Sequence, residues 1–341
     1  SLDRTIYFET LPSGKIDIGL ELEADRMRHS IFSPKEVESE RTVIISERQG
    51  SENEPEWRLY EQMLATAFHV HPYRHEILGD MADLQSMKRD DLYGHYKTYY
   101  VPNNAIAVAV GDFKTKDMLA RIRELYESIP GGGAPPRLAR PEPEQKGERR
   151  LIVEGDDETP YVGLGYHALS ATDPDFYALV ILDSVLAGAS SIAGRGGTSN
   201  KSSRLYKALV ESELAADISG GIFPTVDPYL YTIFATVRNG RRPDEVERAL
   251  DAEIERAMSS TISEAELAKA IKQARAMFAF GAESVTNQGM WLSYAELFDT
   301  YEWFESYLDR LAAVTVDDVR RVAQKVLRRS NRTTGWYVQK Q

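Results

Sequence analysis

One stretch of this chain is repeated by another at a nearly constant distance. Ser33-Pro-Lys-Glu36-Val37 leads to Glu40-Arg41-Thr-Val43-Ile44-Ile45-Ser-Glu47, and Ser263-Glu-Ala-Glu266-Leu267 leads to Ala270-Ile271-Lys-Gln-Ala274-Arg-Ala-Met277. Both open with Ser-x-x-Glu, the capping box that satisfies free N–H groups of a first helical turn. Pro34 suits the first helical position. A second anchor pairs Leu84-Gln-Ser-Met87-Lys-Arg-Asp90-Asp91-Leu92 with Leu311-Ala-Ala-Val314-Thr-Val-Asp317-Asp318-Val319. Each reads as a loop followed by a helix with acids in its first turn, where the helix dipole favours them. The offsets are 263 − 33 = 230 and 318 − 91 = 227. Such constancy predicts one fold unit used twice.

Around the anchors, helical and strand patterns alternate, which predicts an α+β chain of tandem, duplicated two-layer α/β domains. The first spans residues 1–130 and the second 149–341, joined by a Pro/Gly-rich stretch, 131–148, expected to be a mobile, partly extended linker. In the second copy, Leu151 to Val153 and Tyr161 to Tyr166 read as strands, and Asp175 to Leu186 as an apolar helix. In the first, Thr5 to Phe8, Ile16 to Ile18 and Ala105 to Val110 read as strands, and Gly335 to Val338 is the counterpart of the last. The second copy has 318 − 151 = 167 residues before its Asp318 anchor, and the first has 91 − 1 = 90 before Asp91. Copies of equal length would leave the first short of 77 N-terminal residues, so its first domain is expected to be incomplete.

At 341 residues the chain can bury two cores. A net charge of −12, with basic residues mixed among acids, argues against a nucleic-acid surface. No run approaches the ~20 apolar residues of a membrane span. Zero cysteine excludes disulfides and thiolate metal sites. It fits a reducing, cytoplasmic compartment, which is the expectation here, although many exported proteins also lack cysteine.

Chemistry concentrates in the first copy. Glu40 falls where the second copy has Ala270, and Glu47 where it has Met277. Seven residues apart, they share a helix face, flanked by Val37, Val43 and Ile44. An unpaired buried carboxylate costs several kcal/mol, so this face calls for a cation, a metal or a proton. Spacing leaves two readings open: a metal ligand with a supporting carboxylate, or an ion pair with an Arg or Lys from another element. None of the six histidines (His29, His69, His71, His75, His95, His167) forms a His-x-x-Glu-His or His-Glu-x-x-His motif. His71, after a helix from about Pro55 to Phe68, is expected to be a hydrogen-bonding turn residue. Gly194-Arg-Gly196-Gly197-Thr-Ser-Asn-Lys201-Ser202 has the composition of a phosphate loop but the wrong order, and reads as a loop entering a helix at Ser203 to Val210. Trp291, Tyr294, Phe298, Tyr301, Trp303 and Tyr307 fit helical spacing in a packed core.

Leu20-Glu-Leu-Glu-Ala-Asp25-Arg26-Met27, Glu40-Arg41-x-Val43-x-x-x-Glu47, His71-Pro72-Tyr73, Gly79, Tyr99-Tyr100-x-Pro102-x-Asn104 and Gly111-Asp112 resemble the pitrilysin/insulinase family of zinc metallopeptidases. Ser202-Ser203-Arg204-Leu205 is similar to the family's segment after its glycine-rich loop. The resemblance implies half of a clamshell built from tandem α/β domains, acting as a zinc endopeptidase on peptide substrates. It also implies a His-x-x-Glu-His motif, carrying two ligands and the general base, some 70 residues before Glu47. By the same resemblance Glu47 is the third zinc ligand and Glu40 a supporting carboxylate. This chain lacks the histidine motif, so by itself it is expected to be inactive. A partner half usually presents an arginine and a tyrosine after Ser-Arg-Leu. Here those places read Val210 and Ala216 or Asp217, so that half is expected on another chain or later in the same polypeptide. The alternative is a non-catalytic scaffold or peptide-binding subunit of the same fold.

Overall fold

A computed structural model describes residues 1–136, 139–189, 201–260 and 262–340. The first unit is helical: α1 (Ile16–His29), α2 (Pro34–Ser51), α3 (Pro55–Ala67), α4 (Met81–Ser86), α5 (Arg89–Tyr99) and α6 (Thr115–Tyr126). The second runs β1 (Arg149–Gly155), β2 (Tyr161–His167), α7 (Phe176–Leu186), β3 (Ala215–Gly221), β4 (Leu230–Val237), α8 (Pro243–Ser259), α9 (Glu264–Gly281), α10 (Val285–Phe298), α11 (Glu302–Ala312), α12 (Val316–Val326) and β5 (Arg332–Gln339).

The duplication is visible residue by residue. Adding 230 to the bounds of α2 gives those of α9, and adding 227 to those of α5 gives those of α12. Ser33 and Ser263 both cap their helices by accepting the N–H of the residue three on. Only α9 has the reciprocal half of the box: the Glu266 carboxylate takes the Ser263 N–H, whereas Glu36 takes the Ser33 hydroxyl instead.

Among the described residues one sheet is formed, in the order β1-β5-β2-β4-β3, with β1 parallel to β5 and the other pairs antiparallel. Alternation along its strands sends Val162, Leu164, Tyr166, Tyr231 and Ile233 toward α7, α8 and α12. The opposite face receives α3 from the first unit, whose Leu59 and Met63 pack on Phe234 and Tyr337. Glycines make that approach possible. A Cβ at Gly163 would lie 2.5 Å from the Met63 sulfur, and one at Gly335 would lie 2.8 Å from a Leu59 methyl. The two units therefore share a core. Trp291, Trp303 and Tyr307 sit in the second unit's own core as the spacing predicts, whereas Tyr301 is exposed.

The strands expected in the first copy do not form among the described residues. Ile16–Ile18 opens α1, and Thr5–Phe8 and Ala105–Val110 join no ladder. Position 105 corresponds to Arg332, at the start of β5 (105 + 227 = 332). β5 is held between β1 and β2, and a strand exists only where partners take its N–H and C=O groups. The described residues of the first copy offer 105–110 no such neighbours. The linker is irregular but tethered: Gln145 is buried, donating to the carbonyl of Arg332 at 2.7 Å.

Candidate functional site

α2 places Glu40 and Glu47 on one face, two turns and about 10 Å apart along the axis. Both are exposed. The expectation of carboxylates in an apolar setting is corrected here: Val37 is buried but Val43 is half exposed, and nothing among the described residues covers this face. Water solvates both carboxylates, so neither needs a counter-ion. The ion-pair reading also fails, because among the described residues neither carboxylate takes part in a salt bridge or side-chain hydrogen bond.

The cations that spacing suggested do lie beside them, turned the other way. Arg41 donates from Nη1 to the carbonyls of Leu84 at 2.7 Å and Gln85 at 3.4 Å. Arg48, buried, donates to the carbonyl of Gly79 at 2.7 Å and to the Glu61 carboxylate at 2.5 Å, and its guanidinium lies near Trp57. Two Glu-Arg pairs seven residues apart thus give α2 an anchored side and a displayed side. The signal was in the sequence as the doublets Glu40-Arg41 and Glu47-Arg48.

The histidines do not converge on Glu47. His71 is a turn residue, as its context predicts. Its Nδ1 accepts the Tyr73 N–H at 3.2 Å, which leaves Nε2 to donate to Asp227 at 3.3 Å. His75 lies 3.1 Å from Asp80, and His29 lies 2.7 Å from Asp25. His167 bonds the Ala67 carbonyl, and burial lowers its pKa. A linker residue, Glu142, accepts the N–H groups of His69, Val70 and His71 at 2.7, 2.9 and 3.1 Å. Burial opposes its charge, but these donors outweigh it and hold the carboxyl below its usual range.

Among the described residues no three His, Cys, Asp or Glu side chains form a group that could hold a metal ion. The free carboxylate of Glu47 has the donor chemistry of a single zinc ligand, but these residues by themselves do not hold the ion. Gly194 to Asn200 lies outside the described residues; beyond it, the Ser202 carbonyl accepts Lys269 Nζ at 3.0 Å. Arg204 is committed to structure, forking onto Glu266 at 3.0 and 3.1 Å. That pairing and, against the opposing effect of burial, the cap at Ser263 hold the Glu266 carboxyl at about 2. No described helix is long and apolar enough to cross a membrane.

Comparison with known proteins agrees with this architecture. The family described as "Peptidase M16 inactive domain" matches residues 86–274, and "Insulinase (Peptidase family M16)" matches residues 1–81. The zinc protease PqqE of Helicobacter pylori is 28% identical over 98% of this chain and 74% of its own length. A probable mitochondrial-processing peptidase subunit beta of Arabidopsis thaliana is 25% identical over 96% of this chain and 61% of its own. A solved protease from Helicobacter pylori superposes with a TM-score of 0.89 at 25% identity, over 96% of this chain and 78% of that one. A solved M16 inactive domain from Pseudomonas fluorescens, 17% identical, shares the fold at a TM-score of 0.83 over 96% and 76%. The two matches together span residues 1–81 and 86–274, and the chain belongs to the M16, insulinase-like peptidases.

Proposed function

We propose that this chain is part of a zinc-dependent endopeptidase. In this reading Glu47 contributes one metal ligand, and Glu40 supports it electrostatically. The carrying observation is the free, exposed pair of carboxylates on α2, held in place by Arg41 and Arg48 on the opposite side. The same face in the second copy is covered: Ala270 of α9 is buried against α7. A helix equivalent to α7, packed on α2, would stand over Glu40. The remaining ligands and the general base belong on that helix, outside the residues of this chain. Bound zinc would lower the pKa of a water and polarise a peptide carbonyl. This chain's part is to hold Glu47 in place, and a second half, on another chain or later in the same polypeptide, would complete a chamber around the peptide.

The test is the zinc content of Glu47→Gln in the full-length protein. The expected result is a sharp fall in bound zinc per chain with folding unchanged. Wild-type zinc content in that variant would overturn the assignment. A scaffold role is the second reading, favoured by the inactive-domain match over residues 86–274. It predicts no zinc and no peptide cleavage in the unmutated polypeptide.

A further inference from the structure

The outer edge of β1 is open. β1 pairs only with β5. The Gly155 carbonyl accepts from Lys340 N at 2.7 Å on that side, so by alternation the backbone groups of Glu154, Ile152 and Arg150 point away from the sheet. Among the described residues no backbone group bonds to Arg150 or Ile152 across this edge. Arg58 approaches it from outside, its Nη2 lying 3.4 Å from the Glu154 carbonyl, which keeps a second lone pair. Such an edge is a template for another strand.

The sequence around β1 says which strand fits. Lys146, Arg149 and Arg150 stand at its start, Glu154, Asp156, Asp157 and Glu158 at and beyond its end, and Leu151, Ile152 and Val153 between them. Turned antiparallel on a second copy of itself about Ile152, this pattern is self-complementary. Arg150 and Glu154 each lie two residues from Ile152, so each Arg150 comes to face the Glu154 of the other copy, and Ile152 faces Ile152. Opposite charges directly across a strand pair are favourable. All three positions carry outward backbone groups, so in this register each facing pair exchanges two N–H···O=C bonds. A slip of one residue would set outward groups against inward ones.

The side chains and helices leave room for this. Ile152 is 63% exposed. Arg150 spends three of its five N–H groups, on Glu148 at 3.0 Å and on both Glu247 oxygens at 2.7 Å, which leaves two for a carboxylate from outside. Glu154 is exposed and joins no ion pair among the described residues. α3 packs on β1, β5 and β2, centred one strand in from the edge. Two paired copies would therefore hold their α3 helices three strand spacings, about 14 Å, apart, beyond the 8–10 Å or so at which helices meet.

We propose that two copies of this chain associate by antiparallel pairing of their β1 edges across a two-fold axis at Ile152, joining two five-stranded sheets into one. The surface lies on the second unit and involves neither Glu47 nor any metal.

The test is sedimentation velocity of the full chain up to about 0.5 mM, toward the weak end of specific association. A monomer–dimer equilibrium is expected. Ile152→Pro deletes an outward N–H from each copy and leaves the β5 ladder intact, so it should fold, by circular dichroism, and weaken the dimer at least about tenfold. If it fails to fold, Ile152→Asp, at an exposed position, should give the same loss by setting like charges face to face. Ile152→Thr should dimerise nearly as wild type. Oxidative cross-linking tests the register, since the chain has no cysteine. Ile152→Cys should form a covalent dimer, its two Cα atoms lying about 5.5 Å apart. Glu154→Cys should not, its two copies being offset by roughly 14 Å along the strands. A monomer at every concentration, a dimer that folded Ile152→Pro or Ile152→Asp leaves intact, or equal cross-linking at 152 and 154 would overturn the proposal.

Discussion

The Ser184 hydroxyl of α7 donates to the Ala270 carbonyl of α9 at 3.2 Å, and Glu40 holds the same position on α2, 230 residues earlier. One fold unit therefore presents the same spot in two states. In the second copy it is an apolar helix contact, with both Ser184 and Ala270 buried. In the first it is an exposed carboxylate. Two serine-capped helices of the same length thus differ in what is packed on them.

Ala270→Glu transplants the first copy's residue into the covered site. Ala270 is 2% exposed, so the new carboxylate would be buried under α7 without a partner. A loss of several kcal/mol is expected, by urea denaturation. Glu40→Ala on α2 should change stability by less than about 0.5 kcal/mol, because its carboxylate is solvated.

Gly163 and Met63 define how closely the two units approach. Gly163→Ala should cost about 1 to 3 kcal/mol, since its methyl would meet the Met63 sulfur. Met63→Ala alone should cost about 2 to 5 kcal/mol by opening a cavity. The double variant should be clearly less destabilised than the sum, as the removed side chain makes room for the added methyl. Additive costs in the double-mutant cycle would mean that the glycine serves some other contact.

Much of this was legible in the sequence, and the failures have a common cause. Caps, acids in first turns and helical periodicity are local, so α2, α9, α5 and α12 could be placed from residues alone. Strand readings in the first copy failed because pairing is not local. Ala105–Val110 is apolar enough for a strand but lacks the neighbours of β5 among the described residues. The face shared by Glu40 and Glu47 was read correctly from the seven-residue spacing, but its burial was not, because burial depends on another element. The anchoring of α2 through Arg41 and Arg48 rests on carbonyls of Leu84 and Gly79, which no side-chain pattern announces.

Glu23 gives the first unit a dependence on pH. Burial first, then its hydrogen bond to Glu9 and that carboxylate's charge, raise its pKa to about 7, although Arg26 lies 2.9 Å away and opposes the shift. A carboxyl raised in the folded state contributes stability that is fully present below its unfolded value, about 4.3, and lost as pH rises through 7. Thermal scans from pH 5 to 8 should therefore show a decline that Glu23→Gln flattens, the variant being the more stable of the two at pH 8. An unchanged slope in the variant would assign the decline to another group.

Arg332 ties the linker to the second core. Almost wholly buried, it donates to Glu148 at 2.7 Å and pairs with Asp251. Glu148 also accepts from Arg329 at 3.0 Å and from Thr334 at 2.9 Å. Burial opposes the Glu148 charge, but these donors prevail and hold its carboxyl at about 2. That lowered value means stability present above about pH 4.3 and lost as pH falls toward 2. Arg332→Ala would leave Glu148 and Asp251 without their shared cation, at a cost of about 3 to 5 kcal/mol. Glu148→Gln should cost less at neutral pH and should flatten the acid limb of the stability profile between pH 4 and 2. If instead Arg332→Ala unfolds at the wild-type urea midpoint, the Arg332 network is dispensable and the linker is held by its other contacts, those of Glu142 and Gln145 among them.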